Sequence, residues 1–396
     1  MAYDSGLIKL LAGVKMKQIF LLKWLIVGLC CISIPAIPGE TRVGSMGSTG
    51  IFTYDVSNLR TFPASVYRYP NLVISELRFK NQSNTFSAGV HLPLGDKALG
   101  ALYLNRQFSL PFPNTISPTF GNLEGADFTL GSMIGENQVG FRIGLATEQI
   151  ERTDSDSLQL DFDETATYVE FAGGVSSETY DFGAYFGLPY FKRIAAGVEE
   201  KWSGSGFGVS GRFFLGAQDG IQYVPVVLIN QFSTTVEMAN RDIDTDFLEF
   251  RMNLGFHYRI NPQNLVILGV EMFGFSRSET DDPDSQKITR RITNMPAFFL
   301  GGETYAKKWL VLRLGAVQTF SENKQTISNR SNGKSVTLTR TNDIDVTVGV
   351  GIHIGNFLMD LDINDNYLFE GPDFISGQGA NEVNDFVHRL TITYTF

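Results

Sequence analysis

From Phe247 to Ile260 the chain reads FLEFRMNLGFHYRI. Leu248, Phe250, Met252, Leu254, Phe256, Tyr258 and Ile260 take every second place; Glu249, Arg251, Asn253, Gly255, His257 and Arg259 take the places between. Successive strand side chains point to opposite faces, so one face here is wholly apolar and the other charged. The same alternation runs from Asp343 to Gly355, where Ile344, Val346, Val348, Val350, Ile352 and Ile354 share a face. It recurs from Gln138 to Thr147, with Val139, Phe141, Ile143 and Leu145 set against Gln138, Gly140, Arg142 and Gly144. Such runs are about ten residues or longer, whereas soluble strands average about 5 to 6. A soluble sandwich would pack its apolar face inward. Here the other face carries Arg, Glu, Asp and His among Gly and Thr, which suits a wet lumen. The expected fold is all-β: a transmembrane antiparallel up-and-down β-barrel.

Carried along the chain, the pattern predicts strands near 70–80, 83–92, 97–107, 124–134, 137–147, 164–175, 178–187 and 204–217. It continues near 221–234, 245–260, 262–276, 295–305, 307–320, 343–355, 356–365 and 384–396. That makes about 16 strands, with 14 as the alternative if the opening hairpin or another short pair lies outside the wall. Short turns such as Gly135-Glu136, Asn261-Pro262 and Gly355-Asn356 alternate with polar stretches at 108–123, 148–163, 188–203, 235–244, 277–294, 321–342 and 366–383. Those stretches are expected to be long loops on the outer side of a membrane.

Composition agrees. Among 396 residues there are 40 Gly and 32 Phe, and only 19% are charged. A net charge of −10 excludes a nucleic-acid partner, which would want a basic patch. Lys15, Lys17 and Lys23 precede or punctuate an apolar stretch from Ile19 to Ile34, followed by Pro35, Ala36, Pro38 and Gly39. That is the pattern of a signal peptide, expected over residues 1–36, with Met16 as the more natural start. Both cysteines, Cys30 and Cys31, fall inside it. The exported chain would hold 28 basic and 41 acidic residues, a balance of −13. Residues 37–69 are expected as an N-terminal arm or plug and residues 70–396 as the barrel.

The chain closes with Leu390, Ile392, Tyr394 and Phe396 on one face and Arg389, Thr391, Thr393 and Thr395 on the other. This resembles the closing strand of bacterial outer-membrane β-barrels and implies recognition by the outer-membrane assembly machinery, with Tyr394 and Phe396 as the signal. A second resemblance covers some 25 residues. Gly44-Ser45-Met46-Gly47-Ser48-Thr49-Gly50, Asp55-Val56-Ser57-Asn58 and Phe62-Pro63-Ala64 are similar to the N-terminal region of the FadL-like (fatty-acid-transporter-like) barrels, with Phe62 where that family has Asn. The resemblance implies a segment that helps plug the lumen and carries over no ligand-binding residue.

Strand phase puts Arg142, Arg212, Glu249, Arg251, His257, Arg259, Glu271, Asp345, His353, Asp360, Asp362 and Arg389 on the lumenal face, together with Arg313. Asn253 and Thr347 would likewise meet water. Mixed signs select neither cations nor anions. Asp360, Asp362 and Asn364 start like a calcium loop, but Asp365 and Gly371 stand where Gly and Glu belong, so a strand is the reading. His91, His257, His353 and His388 form no i, i+4 pair. No catalytic residue, metal or cofactor is expected. The leading expectation is an outer-membrane channel or transporter for a small-molecule solute, surrounded by membrane lipid and lipopolysaccharide. The alternatives are a barrel acting in surface adhesion, as a scaffold or in secretion, and an envelope enzyme. The last would need a Ser or Asp beside His257 or His353.

Overall fold

Sixteen strands hydrogen-bond in chain order and the last returns to pair with the first. The computed structural model describes residues 39–80, 83–109, 122–152, 162–195, 198–216, 220–238, 241–261, 263–282, 286–329, 333–363 and 387–396. The expected signal peptide, the Asn81-Gln82 turn and the stretch 366–383 lie outside the described residues. The strands are β1 (Leu72–Lys80), β2 (Ser83–Pro93), β3 (Ala98–Ser109), β4 (Asn122–Ile134), β5 (Asn137–Arg152), β6 (Phe162–Ser176), β7 (Tyr180–Ala195) and β8 (Val198–Phe213). Past the break at Phe214, β8 resumes for Leu215–Gly216. There follow β9 (Ile221–Met238), β10 (Arg241–Asn261), β11 (Asn264–Asp281), β12 (Gln286–Lys307), β13 (Leu310–Asn329), β14 (Gly333–Ile354), β15 (Phe357–Ile363) and β16 (Val387–Thr395). Neighbours pair antiparallel, and β1 closes on β16 from Leu72 opposite Thr395 to Arg78 opposite Arg389. Closure leaves no free sheet edge at that seam, as a membrane-spanning sheet requires.

The wall has the polarity of a soluble protein turned inside out. Phe128, Leu145, Leu268 and Leu314 are exposed outward, whereas Arg142, Glu170, Arg212 and Arg313 are buried within. Apolar exposure around a whole circumference matches lipid, and the chain is a transmembrane β-barrel. One end, here the turn end, is tight. Gly135 and Gly355 sit in its two-residue hairpins at φ of +64° and +60°, the left-handed region where a Cβ is costly.

The expected loops at the far end are corrected. Strand pairing runs through most of 188–203, 235–244, 277–294 and 321–342 in the described residues, with a gap in the β7–β8 ladder at Leu188 and Pro189. The first residues of 148–163 are also strand, up to Arg152. These strand ends carry polar residues on both faces; Gly333 to Asp345 is exposed throughout. Backbone pairing persists there while the side-chain alternation that announced it has gone.

Candidate functional site: the N-terminal segment and the inner wall

Residues 40–68 lie across the bore. A short helix, α1 (Glu40–Gly44), meets β14–β16; the 3-10 turn Thr49–Phe52 meets β9–β12; the 3-10 turn Pro63–Arg68 meets β3–β7. A third 3-10 turn, Val56–Arg60, joins them, with Asp55 as its cap through Ser57 N–H at 2.8 Å. The amide of Asn58 donates to the carbonyls of Gly50 and Thr53, both at 2.9 Å, and so ties the segment to itself. Close approach to the wall depends on inward glycines. A Cβ on Gly183 would strike the Thr61 carbonyl, and one on Gly140 would strike the Ala64 backbone.

Ion pairs repeat one arrangement three times. Glu303 of the wall accepts from Arg42 of the segment at 2.7 and 3.0 Å and from Arg313 of the wall at 2.7 Å. Asp181 lies between Arg68 of the segment at 2.7 Å and Arg212 of the wall at 2.8 Å. Glu170 lies between Arg60 at 3.2 Å and Arg142. Each wall carboxylate is thus shared by one guanidinium from the strands and one from the segment. The fourth contact reverses the polarity: Glu40 meets Arg78 at 3.0 Å, Arg389 at 3.7 Å and Arg106 at 4.0 Å. Breaking a buried pair by removing one partner costs about 3–5 kcal/mol, so these clamps fix where the segment sits.

Charge in the segment responds to this setting. Burial pushes the Asp55 carboxyl up to about 6. Arg42, bidentate on Glu303 and 3.5 Å from Asp55, opposes the rise without cancelling it. Burial also disfavours ionised Glu40, but the guanidiniums of Arg78, Arg389, Arg106 and Arg60 outweigh it and hold its carboxyl below the usual value.

The residues nominated from sequence fall into different settings. Arg142, Arg212 and Asp360 are buried in the clamps, Asp360 accepting from Arg313 at 2.6 Å. Arg389 joins Glu40 and Glu76. Asp362 lies against Gly44. Glu249 pairs with Arg251 at 2.6 Å and accepts from Asn230 at 2.7 Å, and Glu271 is buried 4.0 Å from Arg251. His257 meets the Phe52 backbone. The His353 ring stands 5.6 Å from that of Tyr305. Arg259 and Asp345 are exposed. Tyr394 packs on Phe357 at 4.6 Å and on Phe396 at 6.4 Å. Asn253 does not meet water as expected, being buried, while Thr347 is half-buried and its Oγ1 accepts from Gly47 N–H at 3.0 Å. The segment covers the wall at those heights.

Sequence reasoning missed Glu170, Asp181 and Glu303, although all stand on the polar faces of predicted strands. It also missed an apolar inner wall. Near the far end Phe108, Leu123, Tyr168, Phe191, Trp202 and Val236 cluster inward, Phe191 and Trp202 stacking at 3.9 Å. Deeper, Val224, Val226 and Ile267 pack on Met46 and Phe52. Tyr223 to Ile229 is apolar on both faces, which alternation alone cannot reveal.

Among the described residues, the ladder between β2 and β3 is one of those cut short. The β2–β3 ladder holds only from Ala88 opposite Leu104 to Pro93 opposite Leu99. Asn105 adopts φ of +56°, and the β3–β4 register shifts between Tyr103 and Arg106. The Asn105 side chain bridges back to the Phe86 carbonyl at 2.7 Å. Behind this bulge lies a cavity lined by Glu40, Ser57, Arg78, Ser87, Tyr103 and Arg106. Nearby, buried His91 donates from Nδ1 to the Tyr69 carbonyl at 2.7 Å, which leaves Nε2 to accept from the Tyr103 hydroxyl at 2.8 Å.

No protein-family model matches the chain, and neither does any curated protein. Among solved structures, the chain is similar to the Pseudomonas putida toluene transporter TodX at 10% identity and a TM-score of 0.40, over 91% of this chain and 99% of that one. The Ralstonia pickettii toluene transporter TbuX gives 10% and 0.38, over 91% and 98%. The ferric yersiniabactin uptake receptor FyuA of Yersinia pestis gives 9% and 0.34, over 83% and 80%.

Proposed function

We propose that this protein is a passive transporter of small, largely apolar molecules across a bacterial outer membrane, entered from the far end and closed to bulk ions by residues 39–69. One observation carries this reading: an aromatic and aliphatic lining, with Phe191 and Trp202 stacked, faces inward above a segment that lies across the bore. The interior of an open diffusion pore is polar. An apolar lining instead gives an apolar solute a favourable stop, because burying its surface releases water. On this reading the solute would leave through the wall where the β2–β3 ladder is short, once the Asn105 bridge to Phe86 parts, without the whole bore opening. On this reading the turn end faces the periplasm and the long strands project outside.

Reconstitution tests it. In planar bilayers the full chain should show little steady ion conductance, and removal of residues 40–69 should open a large one. A small aromatic hydrocarbon should quench Trp fluorescence in the full chain, and Trp202→Ala should remove most of that response. High conductance of the intact protein, with no response to the hydrocarbon, would replace this reading with a general diffusion pore.

A further inference from the structure

We infer that the outer surface of the barrel carries a docking site for the phosphate groups of an outer-leaflet lipopolysaccharide, formed by Arg277, Arg291 and Lys324 on three adjacent strands. Register sets the row: Arg277 on β11 lies directly opposite Arg291 on β12, and Arg291 directly opposite Lys324 on β13. All three point away from the lumen. On β11 the inward place is Gly274, where a Cβ would meet Glu271, so Phe275 and Arg277 face out. Arg291 lies over the Phe275 ring at 4.9 Å, a cation–π contact that holds it on the same face. On β13 Lys324 shares the parity of exposed Leu312, Leu314 and Phe320.

Height along the barrel fits a headgroup. The outward places of β13 from Leu310 to Phe320 are apolar except Gln318. That is about 33 Å of strand at about 3.3 Å per residue, or about 25 Å of membrane once tilt is counted. On β11 and β13 Phe275 and Phe320 end the apolar band, and the basic row begins beyond them on the far-end side, flanked by outward Leu248 on β10 and Leu338 on β14.

The charge balance is what points to a ligand. Like charges directly opposite on neighbouring strands destabilise a sheet. The nearest carboxylates are already engaged: Glu279 with Arg277 and Lys287, and Glu322 with Arg340 at 3.0 Å. Asp244, Asp246 and Asp281 stand further out along their strands. Arg291 and Lys324 have no ion pair among the described residues. Three cations within two strand spacings match a phosphate, which guanidinium binds bidentately and ammonium as a point charge. Next to the hydrocarbon edge that attraction is less screened than in open water. The site rests on the far end being outside the cell and is independent of what passes through the bore.

The experiment uses the full chain in neutral detergent with bis-phosphorylated lipid A added, read by native mass spectrometry. The wild type should retain lipid A, and the Arg277→Gln/Arg291→Gln/Lys324→Gln variant should lose at least tenfold of that occupancy. A charge-matched control at the turn end, Lys97→Gln/Lys307→Gln/Lys308→Gln, should retain it. Without lipid the first variant should keep the heat-modifiable gel mobility of a closed barrel, since none of the three side chains is buried. Equal retention by that variant, equal loss in the control, or equal binding of dephosphorylated lipid A would each overturn the proposal. Inorganic phosphate binding as tightly as the lipid would mark a free-anion site and overturn the lipid assignment. Lys334→Cys should react with an impermeant maleimide on intact cells; no labelling would reverse the orientation and remove the outer-leaflet assignment, whatever the bore transports.

Discussion

At the scale of single residues, the segment seats because particular inward positions carry no side chain and others carry a guanidinium. Gly183 meets the Thr61 carbonyl, and Arg212 beside it gives one donor to Asp181 and another to the carbonyls of Ile51 and Thr53, each at 2.8 Å. Gly183→Val should therefore lift the segment without touching the lipid face. Overpacking of this kind costs about 1–3 kcal/mol. Trypsin should then cut after Arg60 and Arg68 several-fold faster in folded protein, while heat-modifiable gel mobility stays that of a closed barrel. An unchanged cleavage rate would show that Thr61 yields and that this glycine does not set the seat. Arg142, Arg212, Asp360 and Arg389 were legible because strand parity alone turns them inward. Their partners were less so. Arg42 and Glu303 are 261 positions apart, and nothing local in either stretch announces the other.

Among the elements, the strands were readable wherever one face met lipid and the other did not, and this covers a part of all sixteen. Their far ends were not, because hydrogen bonding along β12, β13 and β14 continues where side chains on both faces meet water. The N-terminal segment shows the opposite case. Its short turns have no period, and its place in the bore comes from tertiary clamps rather than from propensity. Those clamps make its seating depend on pH. Asp55 has a docked value of about 6 against an ordinary 3.8, so its contribution is fully present below 3.8 and is lost as pH rises through about 6. Glu40 runs the other way, contributing above its ordinary value of 4.5 and failing only as pH falls below it. Hydrogen exchange of residues 40–69, corrected for the intrinsic rate, should reveal easier opening between about pH 4 and 6.5. Asp55→Asn should flatten that slope. A slope that survives the substitution would assign it to another group.

For the whole molecule, closure is the decisive event, since a membrane sheet with a free edge leaves backbone groups unpaired in hydrocarbon. The seam pairs Leu72–Arg78 of β1 with Arg389–Thr395 of β16, and Phe396 adds a last bond from its N–H to the Asn71 carbonyl at 3.0 Å. Its ring is half exposed beside Tyr394, at the end where the short turns gather and where an aromatic girdle belongs. Deleting Phe396 removes that one bond and one ring from a large lipid-facing surface. Seven paired positions of the seam remain. Refolding into detergent should therefore survive nearly intact. In cells the outcome should differ, because we propose that the aromatic closing this strand, which resembles that of other outer-membrane barrels, is read by the assembly machinery before any seam exists. The amount of heat-modifiable protein in cell membranes should fall sharply, while refolded mutant and wild type run alike on the same gel. Normal assembly in cells would reduce Phe396 to the last residue of a strand, and loss of refolding as well would mean that the seam itself depends on this ring.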